Sequence, residues 1–446
     1  MRHRLALTVS ACFMGLSLPS FGADLVEIYR SALPSDPVFA AARSAWQAGQ
    51  EKLPQGLAGL LPQASISATD QFNDRDLIYR SGGTASQSKY NSNSATVSVS
   101  QPLYRKQNLT AYEQGKTQVA IANGQLDLAS QDLILRVSQA YFDVLLARDN
   151  VAFAQAQKTA ISEQLAQAKR NFEVGNATIT DTHEAQARFD LVTAQELAAI
   201  NDIEIKNRTL AQMIGKQPQV LSGLGSQFAP RLPELTSMDA WVERARSTNI
   251  NVRVAEDALA LAVQEVRRNR DAHYPTVDAF ASVNKAGAGS GISGGIGTDT
   301  RSKVIGLQLA IPLYQGGLVD SRVREALANE EQARQNLENA RRNAELAARS
   351  NYLGVSNGIA QVRALEAALL SNQSALDSTR LGQQVGVRTQ VDVLNAQQLL
   401  FSARRDLAQA RYNYVLSLLK LNAAAGKLSE ADLQQVNAWL ARDGQK

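Results

Sequence analysis

Two short stretches place charged and hydroxyl residues just beyond a glycine. In Val174–Ala187 (VGNATITDTHEAQA), Gly175 precedes Thr180, Asp181, His183 and Glu184. In Val385–Gln398 (VGVRTQVDVLNAQQ), Gly386 precedes Arg388, Thr389, Asp392 and Asn395. Asp181, His183 and Glu184 have the look of a partial metal site, but a closed site needs about four ligands, commonly Cys or His. Outside the first residues the only other histidine is His273, so the reading is a solvated His183 and no metal. Gly289–Gly294 (GSGISG) fits a dinucleotide fingerprint and Gly291–Gly295 (GISGG) a nucleophile elbow. No amphipathic helix follows either, and both chemistries require one. No cofactor and no enzyme activity are expected. What remains is electrostatic: Thr and Asp as caps and first-turn acids of helices, with Arg388 read by itself as a solvated surface charge.

Bulk properties narrow the rest. The 446 residues carry a formal charge of +4 with basic and acidic residues interspersed, and aromatics make up only 6%. Nucleic-acid binding is not expected from so even a balance. Arg2 and Arg4, the apolar run Leu5–Leu18 and small residues near Ala23 read as a signal peptide over 1–22. Cys12 is the only cysteine and falls inside it, so the mature chain, beginning near Ala23 or Asp24, is expected to hold none. After the leader no apolar run reaches the ~20 residues of a spanning helix, which leaves β-strands as the one way across a bilayer.

The elements that must carry the two stretches are long helices. No proline lies between Pro102 and Pro218 or after Pro312. Leu126, Ala129, Leu133, Val137, Ala140, Val144, Ala147, Val151 and Ala154, then Ile161, Leu165, Ala168 and Phe172, step by 3 and 4 along one stripe. The spacing predicts a helix of roughly 95 Å over Thr110–Phe172, too long to stand alone and paired with a returning helix over Asp181–Ile214. The plan then repeats. Tyr141, Gly175, Asp181 and Gly215 reappear 211 residues later as Tyr352, Gly386, Asp392 and Gly426. The expected organisation is a first repeat over 23–215, a linker over 216–236, a second repeat over 237–426 and a C-terminal segment over 427–446. Each repeat opens with a shorter helix, Asp24–Lys52 or Asp239–Asp271. A pair of strand-like runs follows: ASISATDQF with ATVSVSQPL, and TVDAFASVN with KVIGLQLAIPL, in which Ile305, Leu307, Leu309, Ile311 and Leu313 alternate. The Gly/Ser-rich stretches between them read as loops.

Four strands do not close a barrel, so either a covered soluble β-domain or strands pooled by several chains is required. The first option describes a soluble periplasmic coiled-coil scaffold or adaptor. The duplication, the paired Val-Gly corners, VDVLNAQ, ARYNYVLSLLKLNAAAG over Ala410–Gly426 and IPLYQGG over Ile311–Gly317 resemble the TolC family of bacterial outer-membrane ducts across nearly the whole mature chain. The resemblance implies a mainly α fold with a transmembrane β-barrel: four strands per chain in a twelve-stranded homotrimeric barrel, above a coiled-coil tunnel in the periplasm. It implies 216–236 and 428–440 as an equatorial belt. The implied partners are outer-membrane lipid, a periplasmic adaptor (membrane fusion) protein and an inner-membrane ABC or proton-driven transporter. The corners at Gly175 and Gly386 become hairpin tips. Arg388, Thr180, Asp181 and Asp392 fall on the family's gate, which narrows to an acidic ring at Asp392. Asn395 and Gln383 depart from it, standing where a second acid and a tyrosine are expected, so a single ring of carboxylates and fewer ties follow. His183 beside Asp181 suggests a pH-sensitive gate.

Overall fold

A computed structural model describes residues 22–78, 80–81, 86–175, 177–225, 227–233, 237–289 and 296–441. The expected leader with Cys12, most of both Gly-rich motifs, and Ser226 and Glu234–Thr236 of the expected linker lie outside them. Three short helices open the chain: α1 (Leu25–Ser35), α2 (Pro37–Gln50) and α3 (Lys52–Ala58). Strands β1 (Gln63–Leu77) and β2 (Ser86–Tyr104) lead into α4 (Lys106–Glu173), which turns back as α5 (Ile179–Ile214). The second half runs α6 (Met238–Thr248), α7 (Ile250–Arg270), β3 (Thr276–Ala288), β4 (Thr298–Ala310), α8 (Leu318–Gln384), α9 (Gln390–Ala424) and a last short helix, α10 (Glu430–Asn437).

Helices α4 and α8, of 68 and 67 residues, are each about 100 Å long. The returning helices cover only about half of that length. The other half of α4 is covered by α2, α3 and α7, and that of α8 by α6 and α7. Small residues let these backbones approach. A Cβ on Gly115 would stand 2.7 Å from the Lys52 carbonyl oxygen, and one on Gly124 would stand 2.5 Å from Val254. The expected stripe is buried at Leu133, Val137, Ala140, Val144, Ala147, Ile161, Leu165 and Ala168, whereas Phe172 is exposed at the hairpin end. The expected single opening helices are each broken. Asp36 ends α1 and caps α2, accepting from the Phe39 N–H at 2.7 Å while Arg136 holds its carboxylate at 2.8 Å. Asn249 likewise caps α7 through the N–H groups of Asn251 and Val252.

The main core lies midway along the helices, where Tyr141, Phe142, Leu145, Leu210, Tyr414 and Leu419 are buried with Leu221, Leu433 and Leu440. The linker is fastened there. Tyr141 donates its hydroxyl hydrogen to the Ser222 carbonyl at 2.7 Å, and Tyr414 to the Arg231 carbonyl at 2.7 Å.

The four strands form one antiparallel sheet in the order β1-β2-β3-β4, so the two repeats join at β2–β3 and, among the described residues, neither β1 nor β4 has an outer neighbour. Polar stretches expected as loops are strand: Ser86–Ala95 pairs with β1, Ala286–Ala288 pairs with Thr298–Thr300, and Lys285 pairs with Arg301. β4 ends at Ala310, leaving Ile311 and Leu313 beyond the strand. Register gives the sheet two unlike faces. Directly paired residues share a face, which puts Ile66, Val97, Val99, Ala281, Val283, Ile305 and Leu307 together on one. The other carries Ser65–Ser98, Thr69–Ser94 and Thr96–Asn284 hydrogen bonds at 2.8, 2.7 and 3.2 Å. At the sheet's base, Arg105 grips Asp278 through two bonds of 2.8 and 2.6 Å and so fixes the sheet to the start of α4.

Candidate functional site: the hairpin tips

Both corners are built alike. Gly175 and Gly386 adopt φ of +77° and +79° with open space where a side chain would stand, the left-handed turn that ends a helix and that β-carbons disfavour. The returning helix is then capped reciprocally. The Thr389 hydroxyl accepts from the Asp392 N–H at 3.2 Å, and the Asp392 carboxylate accepts from the Thr389 N–H at 2.9 Å. At the first tip the cap is Thr178, not the expected Thr180. Thr178 and Asp181 exchange the same bonds at 3.3 and 2.9 Å. The T-x-x-D spacing common to 178–181 and 389–392 was the signal for this capping box. Thr180 is exposed in the first turn, free of any cap role.

The caps account for the electrostatics of the acids. The Thr389 N–H and hydroxyl, helped by the Arg388 charge, hold the Asp392 carboxyl below the usual carboxylate range. Arg388 is exposed and makes no ion pair among the described residues. Its side chain lies over Gly382, where a Cβ would come within 2.7 Å of it. Within one chain, then, Arg388 is not brought to Thr180 or Asp181. His183 and Glu184 are exposed, and the Asp181 carboxylate serves the cap.

The structure adds ties that the sequence reading missed, within the second hairpin at Gln383–Gln390 and otherwise between the two hairpins of one chain. Arg188 on α5 donates to Gln398 at 2.7 Å and to Asn395 at 3.0 Å, both on α9. Gln383 donates to Gln390, which donates in turn to Gln164 on α4. Beside them Ile161, Val192 and Leu394 form an apolar contact with Phe189. Thus Gln383 and Asn395, the two departures from the family pattern, both engage in tip contacts. Nothing in the spacing signalled Arg188, because its partners lie about 210 residues away. Beside these ties lies a cavity of about 470 Å³ between the hairpins, lined by Asn150, Gln157, Arg188, Gln195, Leu394 and Arg405 among others.

A sheet with one apolar and one polar face, set on helices about 100 Å long, fits the class of membrane ducts. Comparison with known proteins agrees. The "Outer membrane efflux protein" family profile matches twice, over residues 28–216 and 241–427, and the chain belongs to that family. It is similar to outer membrane protein TolC of Vibrio cholerae, with 33% identity covering 99% of each chain. It is similar also to the alkaline protease secretion protein AprF of Pseudomonas aeruginosa, with 33% identity covering 98% of this chain and 92% of the relative. Among solved structures, the Campylobacter jejuni CmeC outer membrane channel superposes with a TM-score of 0.78 at 17% identity, covering 93% and 88% of the two chains. The chain is an outer-membrane exit duct with the tandem TolC-type fold. Its relatives are channel proteins rather than enzymes.

Proposed function

We propose that three copies pool their sheets into a twelve-stranded barrel and that the resulting duct passively conducts substrates delivered by an inner-membrane ABC or proton-driven transporter through a periplasmic adaptor. The carrying observation is the sheet itself. Its edges at β1 and β4 have no partner among the described residues, and unpaired edge amides in hydrocarbon cost several kcal/mol each, so closure with neighbouring copies satisfies them. The apolar face then meets lipid and the Ser/Thr/Asn face lines the pore, the pattern of bacterial barrels. The repeats 23–215 and 237–426 supply the wall, and 216–236 with 427–446 the belt at the level of the tyrosine anchors.

The tips form the gate. Arg388 of one hairpin reaches Thr180 and Asp181 across a subunit boundary, Asp392 supplies one ring of three carboxylates, and the Arg188 and Gln390 ties hold the hairpins of each chain together. Opening requires a partner that binds the separated hairpins better than the tied ones. The protease secretion relative favours protein cargo, a type I secretion role, and the family as a whole efflux.

Membrane fractionation tests this reading against a soluble scaffold. The protein should sediment with outer membranes, resist carbonate extraction and run as a trimer before heating. Release by carbonate as a monomer would return the sheet to a soluble role.

A further inference from the structure

The lipid-facing side of the sheet carries an arrangement that the duct does not use. Lys285 on β3 is paired directly with Arg301 on β4, and one rung nearer the apolar band Lys303 pairs with Val283. All three side chains share the face of Ile305 and Leu307. None of the three is in an ion pair among the described residues, and Asp299 stands one rung further out, opposite Gly287. Like charges directly opposite one another on a sheet are destabilising. The pair therefore asks for a counter-anion held outside the sheet.

Position indicates which anion. Nine strand positions separate Arg301 from the end of β4 at Ala310, and Leu313 beyond it is 93% exposed; at ~3.3 Å per residue and a tilt of ~40° the nine span roughly 23 Å, close to the ~25 Å height of a barrel's apolar band. Tyr314, also exposed, and Tyr274 mark the end next to the helices. The basic cluster thus stands at the opposite margin, toward the hairpin loops and the external leaflet. Directly beneath it the small Ala281 leaves an apolar hollow of about 310 Å³, walled by Val97, Val99, Val283 and Ile305, with Lys303 at its lip. Charge above and an apolar seat below match an amphiphile whose phosphate lies at the membrane surface.

We propose that Lys285, Arg301 and Lys303 with the Ala281 hollow bind a phosphorylated lipid of the external leaflet, its phosphates on the three cations and an acyl chain in the hollow. This rests on the outer-membrane placement given above. Full-length protein in phosphatidylcholine nanodiscs, with lipid A added in steps, tests it by the temperature at which the trimer dissociates. That temperature should rise with lipid A and stay unchanged with dephosphorylated lipid A or inorganic phosphate. The triple variant Lys285→Gln/Arg301→Gln/Lys303→Gln should need roughly a hundredfold more lipid A, at about fivefold per basic residue facing an anionic surface. Lys89→Gln, whose lysine is already paired with Asp74 at 3.1 Å, should behave as wild type. An equal response in the triple variant, or to dephosphorylated lipid, overturns the proposal; a full response to inorganic phosphate overturns its lipid part. If the triple variant does not fold, the wild-type comparison of phosphorylated with dephosphorylated lipid decides. Failure to enter nanodiscs would overturn the duct reading as well, whereas insertion without lipid dependence overturns this one alone.

Discussion

Replacing Arg188 by Ala should loosen the closed tip without unfolding the hairpins. The guanidinium makes two hydrogen bonds to α9, at 2.7 Å to Gln398 and 3.0 Å to Asn395. Both acceptors are neutral and exposed, so each bond contributes about 1 kcal/mol net rather than the larger value of a buried ion pair. Their loss removes about 2 kcal/mol of closure per protomer, roughly a thirtyfold change in the open-to-closed ratio. The apolar contact of Leu394 with Ile161 and Val192 remains, as does the Gln390–Gln164 tie, so the tip should open more often and not permanently. The assay is open-state occupancy in single-channel records, with Arg208→Ala as control. Arg208 lies on the same helix, and among the described residues its ion pair is with Glu204 of that helix, at 2.7 Å. Arg188→Lys, which retains a charge but not the two-pronged donor, should fall between. Unchanged occupancy in Arg188→Ala would show that these bonds do not contribute to closure and would refute the reasoning.

Further outcomes follow from the same geometry. Asn395→Asp should give Arg188 a charged acceptor, lower open-state occupancy at neutral pH and lose that effect in acid as the new carboxylate protonates. Gly386→Ala places a β-carbon at φ +79° in open space and should cost about 1–2 kcal/mol in thermal unfolding. Gly426→Ala should abolish folded trimer on a gel, since its Cβ would come 2.0 Å from the Thr248 carbonyl oxygen. Asp36→Ala should lower stability by about 2 kcal/mol in denaturant unfolding, because it removes the α2 cap and one of the two carboxylates that hold Arg136, which keeps its pair with Asp132 at 2.6 Å. Burial raises the pKa of Asp149 despite the Tyr412 hydroxyl at 2.6 Å and nearby Arg148. The folded state therefore binds its proton more tightly than the unfolded state. Its contribution to stability should fall as pH rises from the ordinary carboxylate value through the raised one, and Asp149→Asn should flatten that part of a melting-temperature profile.

The corners, the duplication and the helical hairpins were legible because each rests on local signals: a glycine, a T-x-x-D or an apolar period. The breaks at Asp36 and Asn249 were less so, since the helical periodicity runs through them and only the caps mark the change. Ser86–Ala95 reads as loop in the sequence because both faces of a strand beyond the hydrocarbon are wet, which erases the alternation. The tip was legible in part. Asp392 and Gly386 announce themselves, but Thr180 drew attention from Thr178 by standing next to Asp181. The Arg188 and Gln390 ties are tertiary, joining residues of the two repeats that no spacing rule connects.

The central claim is a trans-membrane duct closed at its periplasmic tip, and single-channel conductance of purified wild type beside Arg388→Ser in planar bilayers tests it most directly. The account predicts small wild-type steps that grow several-fold in the variant. No steps from either protein, from a preparation that runs as a folded trimer, would contradict it.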